Sequence, residues 1–245
     1  MTHQSLTQLP ASRRIQRVEV LSAITEPLSR GYGYRHLWVG YTGSGKSVAN
    51  VDLVGESTDA HKYTIITDQK NRLTPYAGSE IPSIHALAAV EPDSRQHVEA
   101  IIRGARMTKN TDDLLDFDAI AHTVWDLSLQ DQGVLLAIDE LADACEGERT
   151  WVRGSNVRPY MKLLYSQGRT NKISISACAQ NVQEIPRAAI SNSDTLGIFR
   201  QDRKELSYYA ANRFLDPEEL DIVANLADYE FLFLKRGMLS RVCKF

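Results

Sequence analysis

The chain has 245 residues, 43% of them hydrophobic and 24% charged, which is the make-up of a soluble globular domain with room for a sizeable core. A formal net charge of −3 excludes a uniformly basic nucleic-acid binder, and no apolar run is long enough to span a membrane. Three widely spaced cysteines (Cys145, Cys178, Cys243) suit a reducing, cytoplasmic compartment, and six histidines without ligand spacing argue against zinc or iron.

Residues 1–30 read as an N-terminal arm and residues 31–245 as one domain. Met1 to Gln16 is polar, carries Arg13 and Arg14, and has no apolar core after them, unlike a secretory signal. A short apolar piece, Val18–Ile24, precedes Pro27 and the Gly31-Tyr32-Gly33 step. The first predicted core strand, Leu37–Gly40, runs into Gly40-Tyr41-Thr42-Gly43-Ser44-Gly45-Lys46-Ser47, and a helix is predicted over Lys46–Val54. Strand, glycine-rich loop and helix in this order predict a phosphate-binding loop. Its glycines let backbone N–H groups turn toward polyphosphate oxygens, and the following helix N-terminus adds positive potential. Lys46 is expected to reach the β- and γ-phosphates of ATP and Ser47 to bind Mg²⁺, with Gly40 through Val48 forming the binding segment.

Further strands are predicted at Tyr63–Thr67 and Ala86–Val90 and a helix at Ser94–Met107. An acidic cluster, Asp112–Asp118, follows. The next apolar strand, Val134–Ile138, ends in Asp139-Glu140. The carboxyl end of a parallel strand faces the nucleotide in such folds, so Asp139 is expected to hold the metal and Glu140 to polarise the attacking water. Acids at strand ends also cap helices, but together with the upstream loop they favour hydrolysis over transfer to a small molecule. From Arg149 to Gln183 there is no acid, whereas Arg149, Arg153, Arg158, Lys162, Arg169 and Lys172 are present. Such a stretch can meet a polyanion, or it can be a solvated face whose acidic partners come from elsewhere. A helix is predicted near Val157–Gln167 and a strand over Ile173–Cys178 that ends toward Gln180. The Gln180 amide can bond the γ-phosphate or the lytic water, or simply terminate the strand. Leu196–Arg200 is the last predicted parallel strand. Helices at Lys204–Arg213 and Pro217–Leu226 and a hairpin of Tyr229–Leu234 and Met238–Lys244 close the chain. Val-, Ile- and Leu-rich strands alternating with helices predict an α/β fold whose mostly parallel sheet is covered on both faces.

Several segments, taken in order, resemble the FtsK/HerA family of DNA-pumping, RecA-like P-loop ATPases, which includes coupling proteins and viral packaging ATPases. They are Gly40–Ser47, Thr67-Asp68-Gln69-Lys70, Ala88–Asp93, Leu136–Glu140, Gly168-Arg169, Ile173–Gln180, Ile185-Pro186, Asn192 and Phe199-Arg200. The match spans roughly residues 36–205 and departs from the family at Gln69, where a proline is usual, and at Ala177-Cys178-Ala179-Gln180, where Ala-Thr-Gln is usual. In size and layout the chain is most similar to genome-packaging ATPases of viruses or mobile elements. The resemblance implies ATP hydrolysis, a hexameric ring of identical subunits with nucleotide at the interfaces, and double-stranded DNA through the centre. It makes Gln180 the γ-phosphate sensor and Arg169 the arginine finger offered to a neighbouring subunit, with Arg200 the second choice. Arg149, Arg153 and Arg158, in the glycine-containing segment after Glu140, are the expected DNA contacts. A capsid vertex or a membrane protein is the implied docking partner, and the host cytoplasm or the virion the implied location. Other cargo for such a motor, a small-molecule kinase and a non-hydrolysing scaffold are the competing readings.

Overall fold

The structure is a computed structural model in which residues 13–68, 79–80, 98–103, 117–130, 133–142 and 159–244 are described. The described strands are β1 (Arg35–Val39), β2 (Tyr63–Asp68), β3 (Ser79–Glu80), β4 (Val98–Arg103), β5 (Val134–Ile138), β6 (Ile173–Ala179), β7 (Thr195–Phe199), β8 (Glu230–Lys235) and β9 (Arg241–Lys244). They form one sheet in the order β3-β4-β2-β5-β6-β1-β7-β8-β9. Pairing is parallel from β3 through β7, and the terminal hairpin β8–β9 adds antiparallel at the β7 edge. The expected α/β architecture and C-terminal hairpin are therefore present.

The strand sequences explain why both faces are covered. In β5, Val134, Leu136 and Ile138 enter one apolar cluster, while Leu135 and Ala137 enter the other. This two-residue alternation lets a continuous apolar run satisfy two buried faces. Helices α3 (Phe117–Ser128), α4 (Pro159–Gln167), α5 (Arg187–Asn192), α6 (Arg203–Ala211) and α7 (Pro217–Asn225) contribute to the first cluster. Helices α1 (Arg17–Thr25) and α2 (Lys46–Ser57) contribute to the second. From Arg13 onward the N-terminal segment lies on the domain. Ile15, Val20, Leu21 and Ile24 are buried there, and Arg13 donates to the Ser240 hydroxyl at 2.7 Å.

Strand β6 docks α2 by a polar alternation. Ile173, Ile175, Ala177 and Ala179 face the first cluster. On the other face the Ser174 hydroxyl meets His61 Nε2 at 2.8 Å, Ser176 donates to Asn50 of α2, and Cys178 Sγ donates to the Lys46 carbonyl at 3.8 Å. Buried hydroxyls need such partners, because each unmade bond costs about 1–3 kcal/mol. These bonds seat the helix that starts at the glycine-rich loop.

One expectation is overturned. Ser94–Met107 was predicted helical, but Val98–Arg103 is strand β4, paired in parallel with β2 from Tyr63↔Val98 to Asp68↔Arg103. Its short apolar run is compatible with a buried helix segment or a strand, and pairing with β2 decides for the strand. The predicted strand Ala86–Val90 lies outside the described residues, as do Gln69, Lys70 and Asp112–Asp116.

The centre of the sheet holds a buried imidazole. His36 meets Thr195 Oγ1 at 2.6 Å and packs edge-on against Trp38, with ring centroids 4.0 Å apart. Burial holds its pKa down to about 3. The native state therefore keeps His36 neutral, whereas the unfolded chain takes up its proton near pH 6.5. Stability from this group is complete above about pH 6.5 and is lost as pH falls toward 3, at up to about 1.4 kcal/mol per pH unit. In urea titrations His36→Asn should fall less in stability between pH 7 and pH 5 than the wild type. Equal slopes for both proteins would contradict the assignment.

Candidate nucleotide-binding site

Strand order brings the candidate residues together. β5, β6 and β1 are consecutive neighbours in the sheet, so residues that follow them emerge side by side at its carboxyl end. After β1 comes Gly40–Gly45, after β5 come Asp139 and Glu140, and after β6 comes Gln180. They meet around a cavity of about 240 Å³ bordered by Lys46, Ser47, Asp139, Glu140, Gln180 and Tyr229.

The loop needs its glycines. Gly45 has φ 111° and is the residue immediately before α2, a backbone state that side chains rarely adopt. A Cβ on Gly40 would lie 2.6 Å from the Phe199 Cβ and 2.8 Å from the Ser44 hydroxyl. Lys46 folds back over the loop, its Nζ donating to the Gly40 carbonyl at 2.5 Å and the Tyr41 carbonyl at 2.9 Å. Charged oxygens of a phosphate are stronger acceptors for this buried ammonium than the two neutral carbonyls it holds.

The acids are oriented by backbone. Asp139 N–H donates to the Thr67 carbonyl at 3.1 Å, and both Asp139 and Glu140 are buried. Glu140 Oε1 accepts from the Gln180 N–H at 3.2 Å, and Thr42 Oγ1 donates to Gln180 Oε1 at 3.0 Å. Gln180 thus ties the acid at the end of β5 to the loop at the end of β1. The oxygen donors at this end, the Ser47 hydroxyl and the Asp139 carboxylate, are hard ligands of the kind Mg²⁺ takes with one or two protein groups plus phosphates. Among the described residues no three His, Cys, Asp or Glu side chains are grouped to hold a metal alone.

A neighbouring cavity of about 400 Å³ includes Thr42, Gln180, Asp202 and Glu205 in its walls. Burial, and secondarily the charge of Asp202, raises the Glu205 carboxyl above the usual range, while Gln183 Nε2 donates to it at 2.8 Å.

The two candidate finger arginines part company. Arg200 follows β7 and bonds within its own chain: Nε donates to the Tyr41 hydroxyl at 2.7 Å and Nη2 to Asp228 Oδ1 at 3.1 Å. Arg169 lies before β6, at the amino ends of the strands, and pairs with Asp194 at 3.1 Å. It borders a third cavity, of about 320 Å³, with Arg30, Arg35, Lys235 and Arg236. The length of β6 separates it from the loop of its own chain, roughly 20 Å at about 3.3 Å per residue. Arg149, Arg153 and Arg158 lie outside the described residues.

Tyr229 and Asp228 reach the site without any sequence motif to announce them. Both sit in the turn before β8, and only the pairing of β8 with β7, next to β1, carries that turn to the loop.

No family model matches the sequence, and no curated protein matches it. Solved structures do match the fold. The genome packaging NTPase B204 from Sulfolobus turreted icosahedral virus 2, in complex with sulfate, aligns with TM-score 0.66 at 16% identity, over 86% of this chain and 96% of B204. B204 has also been solved with AMP, AMPPCP and ATP-gammaS. VirB4 of Thermoanaerobacter pseudethanolicus aligns with TM-score 0.60 at 12% identity, over 86% of this chain and 89% of VirB4. The bacterial conjugative coupling protein TrwB aligns with TM-score 0.62 at 10% identity, over 96% of this chain and 94% of that one. At these identities the likeness establishes a shared fold, a mixed α/β core of the RecA-like P-loop type.

Proposed function

We propose that the chain is an ATPase that moves double-stranded DNA, as the packaging motor of a virus or the transfer motor of a mobile element. The carrying observation is the single cavity that gathers Lys46, Ser47, Asp139, Glu140 and Gln180. The likeness to B204, a genome packaging NTPase, and to the conjugative coupling protein TrwB supports DNA as cargo.

In this reading the loop amides and Lys46 hold the triphosphate of ATP. Ser47 and Asp139 would hold Mg²⁺, which would supply positive charge against the phosphates. Glu140, fixed by the Gln180 N–H, accepts a proton from the water that attacks the γ-phosphorus. Thr42 donates to the Gln180 carboxamide oxygen, and the NH2 of the same amide is the group that can donate to a γ-phosphate; in this reading loss of that bond on cleavage shifts the segment beyond Glu140. Arg149, Arg153 and Arg158 in that segment are the proposed DNA contacts. Phosphate contacts of this kind grip any sequence and weaken with salt.

Subunits are proposed to form a hexameric ring with each nucleotide at an interface. The position of Arg169, far from its own loop and beside other cations, supports its service as a finger in trans, on the order of a thousandfold in rate. Arg200, bound to Tyr41 and Asp228, supports the loop in cis instead. The proposed setting is the host cytoplasm or the virion, docked on a capsid vertex or a membrane protein. Among the described residues no helix is long and apolar enough to cross a membrane.

Steady-state ATP hydrolysis, measured with and without double-stranded DNA at two salt concentrations, tests the reading. DNA is expected to stimulate turnover, less at high salt, and turnover indifferent to DNA would contradict the cargo. Lys46→Ala should abolish nucleotide binding or turnover; unchanged turnover removes the loop from catalysis. Glu140→Gln should retain ATP in filter binding yet stop hydrolysis, and wild-type turnover there would take the base role from Glu140. Arg169→Ala subunits mixed with Lys46→Ala subunits should recover activity in rings shown to be mixed. Absence of recovery in such rings counts against a finger in trans.

A further inference from the structure

We infer that Tyr229 is the platform on which the base of the bound nucleotide stacks, with Val48 as the apolar surface beside it. The inference rests on the nucleotide-site reading above and adds the subsite that takes the base.

Tyr229 is held where a free side chain would not choose to be. Its φ is 64°, in the left-handed region that favours glycine. The turn is fixed at both ends, Ala227 N–H donating to Glu230 Oε2 at 2.9 Å and Glu230 N–H to the Ala227 carbonyl at 3.1 Å. It is also tied to the loop at two points. Tyr229 N–H donates to the Ser44 carbonyl at 3.1 Å, and Asp228 accepts from Arg200, which in turn donates to the Tyr41 hydroxyl. Backbone held in a sparsely populated state by its surroundings is a mark of functional sites.

The ring lies against Gly45, where an added Cβ would come within 2.9 Å of the Tyr229 Cδ1. Yet the residue is 46% exposed, and Val48, in the first turn of α2, is 49% exposed. Both border the same cavity as Lys46 and Ser47. A single exposed apolar side chain is ordinary, but here two of them share one cavity with the phosphate cradle, and one is held there by strained backbone. A triphosphate seated on the loop amides leaves its base outside the loop, at this rim. A base presents a flat π-face, and stacking on an aromatic ring buries both. Recognition by face is tolerant of base identity, so purines, with the larger face, are expected to bind more tightly than pyrimidines.

The test compares ATP with inorganic tripolyphosphate by calorimetry, using wild type, Tyr229→Gly and Tyr229→Phe. Glycine keeps the left-handed backbone and the N–H to Ser44 while removing only the ring. The expected result is a rise in Kd for ATP of roughly tenfold in Tyr229→Gly, with tripolyphosphate affinity unchanged, and near wild-type affinity for both ligands in Tyr229→Phe. Wild-type ATP affinity in Tyr229→Gly would overturn the inference. So would an equal loss of both ligands, which would make the ring a prop for the loop and not a seat for the base. Wild-type protein that bound neither ligand would overturn the nucleotide-site reading itself, and the stacking with it.

Discussion

Three parallel strands lying side by side carry the whole account. Arg35–Val39, Ile173–Ala179 and Val134–Ile138 pair in one register, so the residues after each emerge at one edge of the sheet. A one-residue slip in a strand would turn every side chain to the other face. Here it would set the serines of Ile173–Ala179 against the apolar cluster and strip Asn50 and His61 of their partners. The apolar core and the polar bonds to the helix after the loop therefore specify the same register. That agreement between packing and polar satisfaction is what makes the edge a defined site.

At that edge the loop is wired on both sides. Toward Val134–Ile138, Thr42 binds Gln180, whose N–H binds Glu140. Toward the hairpin, Tyr41 binds Arg200 and Arg200 binds Asp228. Lys46 bridges the loop internally by holding its own carbonyls. The loop therefore shares side-chain bonds with the ends of two neighbouring strands and with the turn before the hairpin. At the opposite end of the sheet the acids Glu26 and Asp194 are each shared between two cations, Arg30 with Lys235 and Arg35 with Arg169. Cations outnumber acids there, so the local charge at that end is positive.

Much of the fold was legible in the sequence because buried parallel strands are short apolar runs bounded by turn residues. Leu37–Gly40, Val134–Ile138 and Ile173–Cys178 announce themselves this way, and Asp216-Pro217 marks the start of its helix through a side-chain cap on Glu219 N–H at 2.8 Å. The same rule misleads at Val98–Arg103, where a run of that length fits a helix turn as well as a strand and only the partner strand decides. The helix Phe117–Ser128 buries Ile120, Ala121, Val124 and Leu127 at helical spacing, but it starts inside the acidic cluster Asp112–Asp118, which carries no apolar period to mark its beginning. At the site, the positions of the glycine loop, Lys46, Asp139 and Glu140 follow from motifs whose spacing reflects local chemistry, whereas at Gln180 spacing left a strand-terminating residue equally open and only the family resemblance singled it out. Tyr229, Asp228 and the Arg200–Asp228 contact do not follow from motifs, because the turn that carries Asp228 and Tyr229 is brought to the loop by an antiparallel hairpin added far along the chain. No local pattern encodes which edge a terminal hairpin will join.

The central claim is that a triphosphate occupies the space between Lys46 and the Asp139–Glu140 pair. The most direct measurement is a crystal structure of the protein with AMPPCP and Mg²⁺. In that complex the Lys46 ammonium is expected to leave the Gly40 and Tyr41 carbonyls for the β- and γ-phosphate oxygens, with Glu140 facing the terminal phosphate. An analogue bound elsewhere, or bound with Lys46 still on the Gly40 carbonyl, would contradict it.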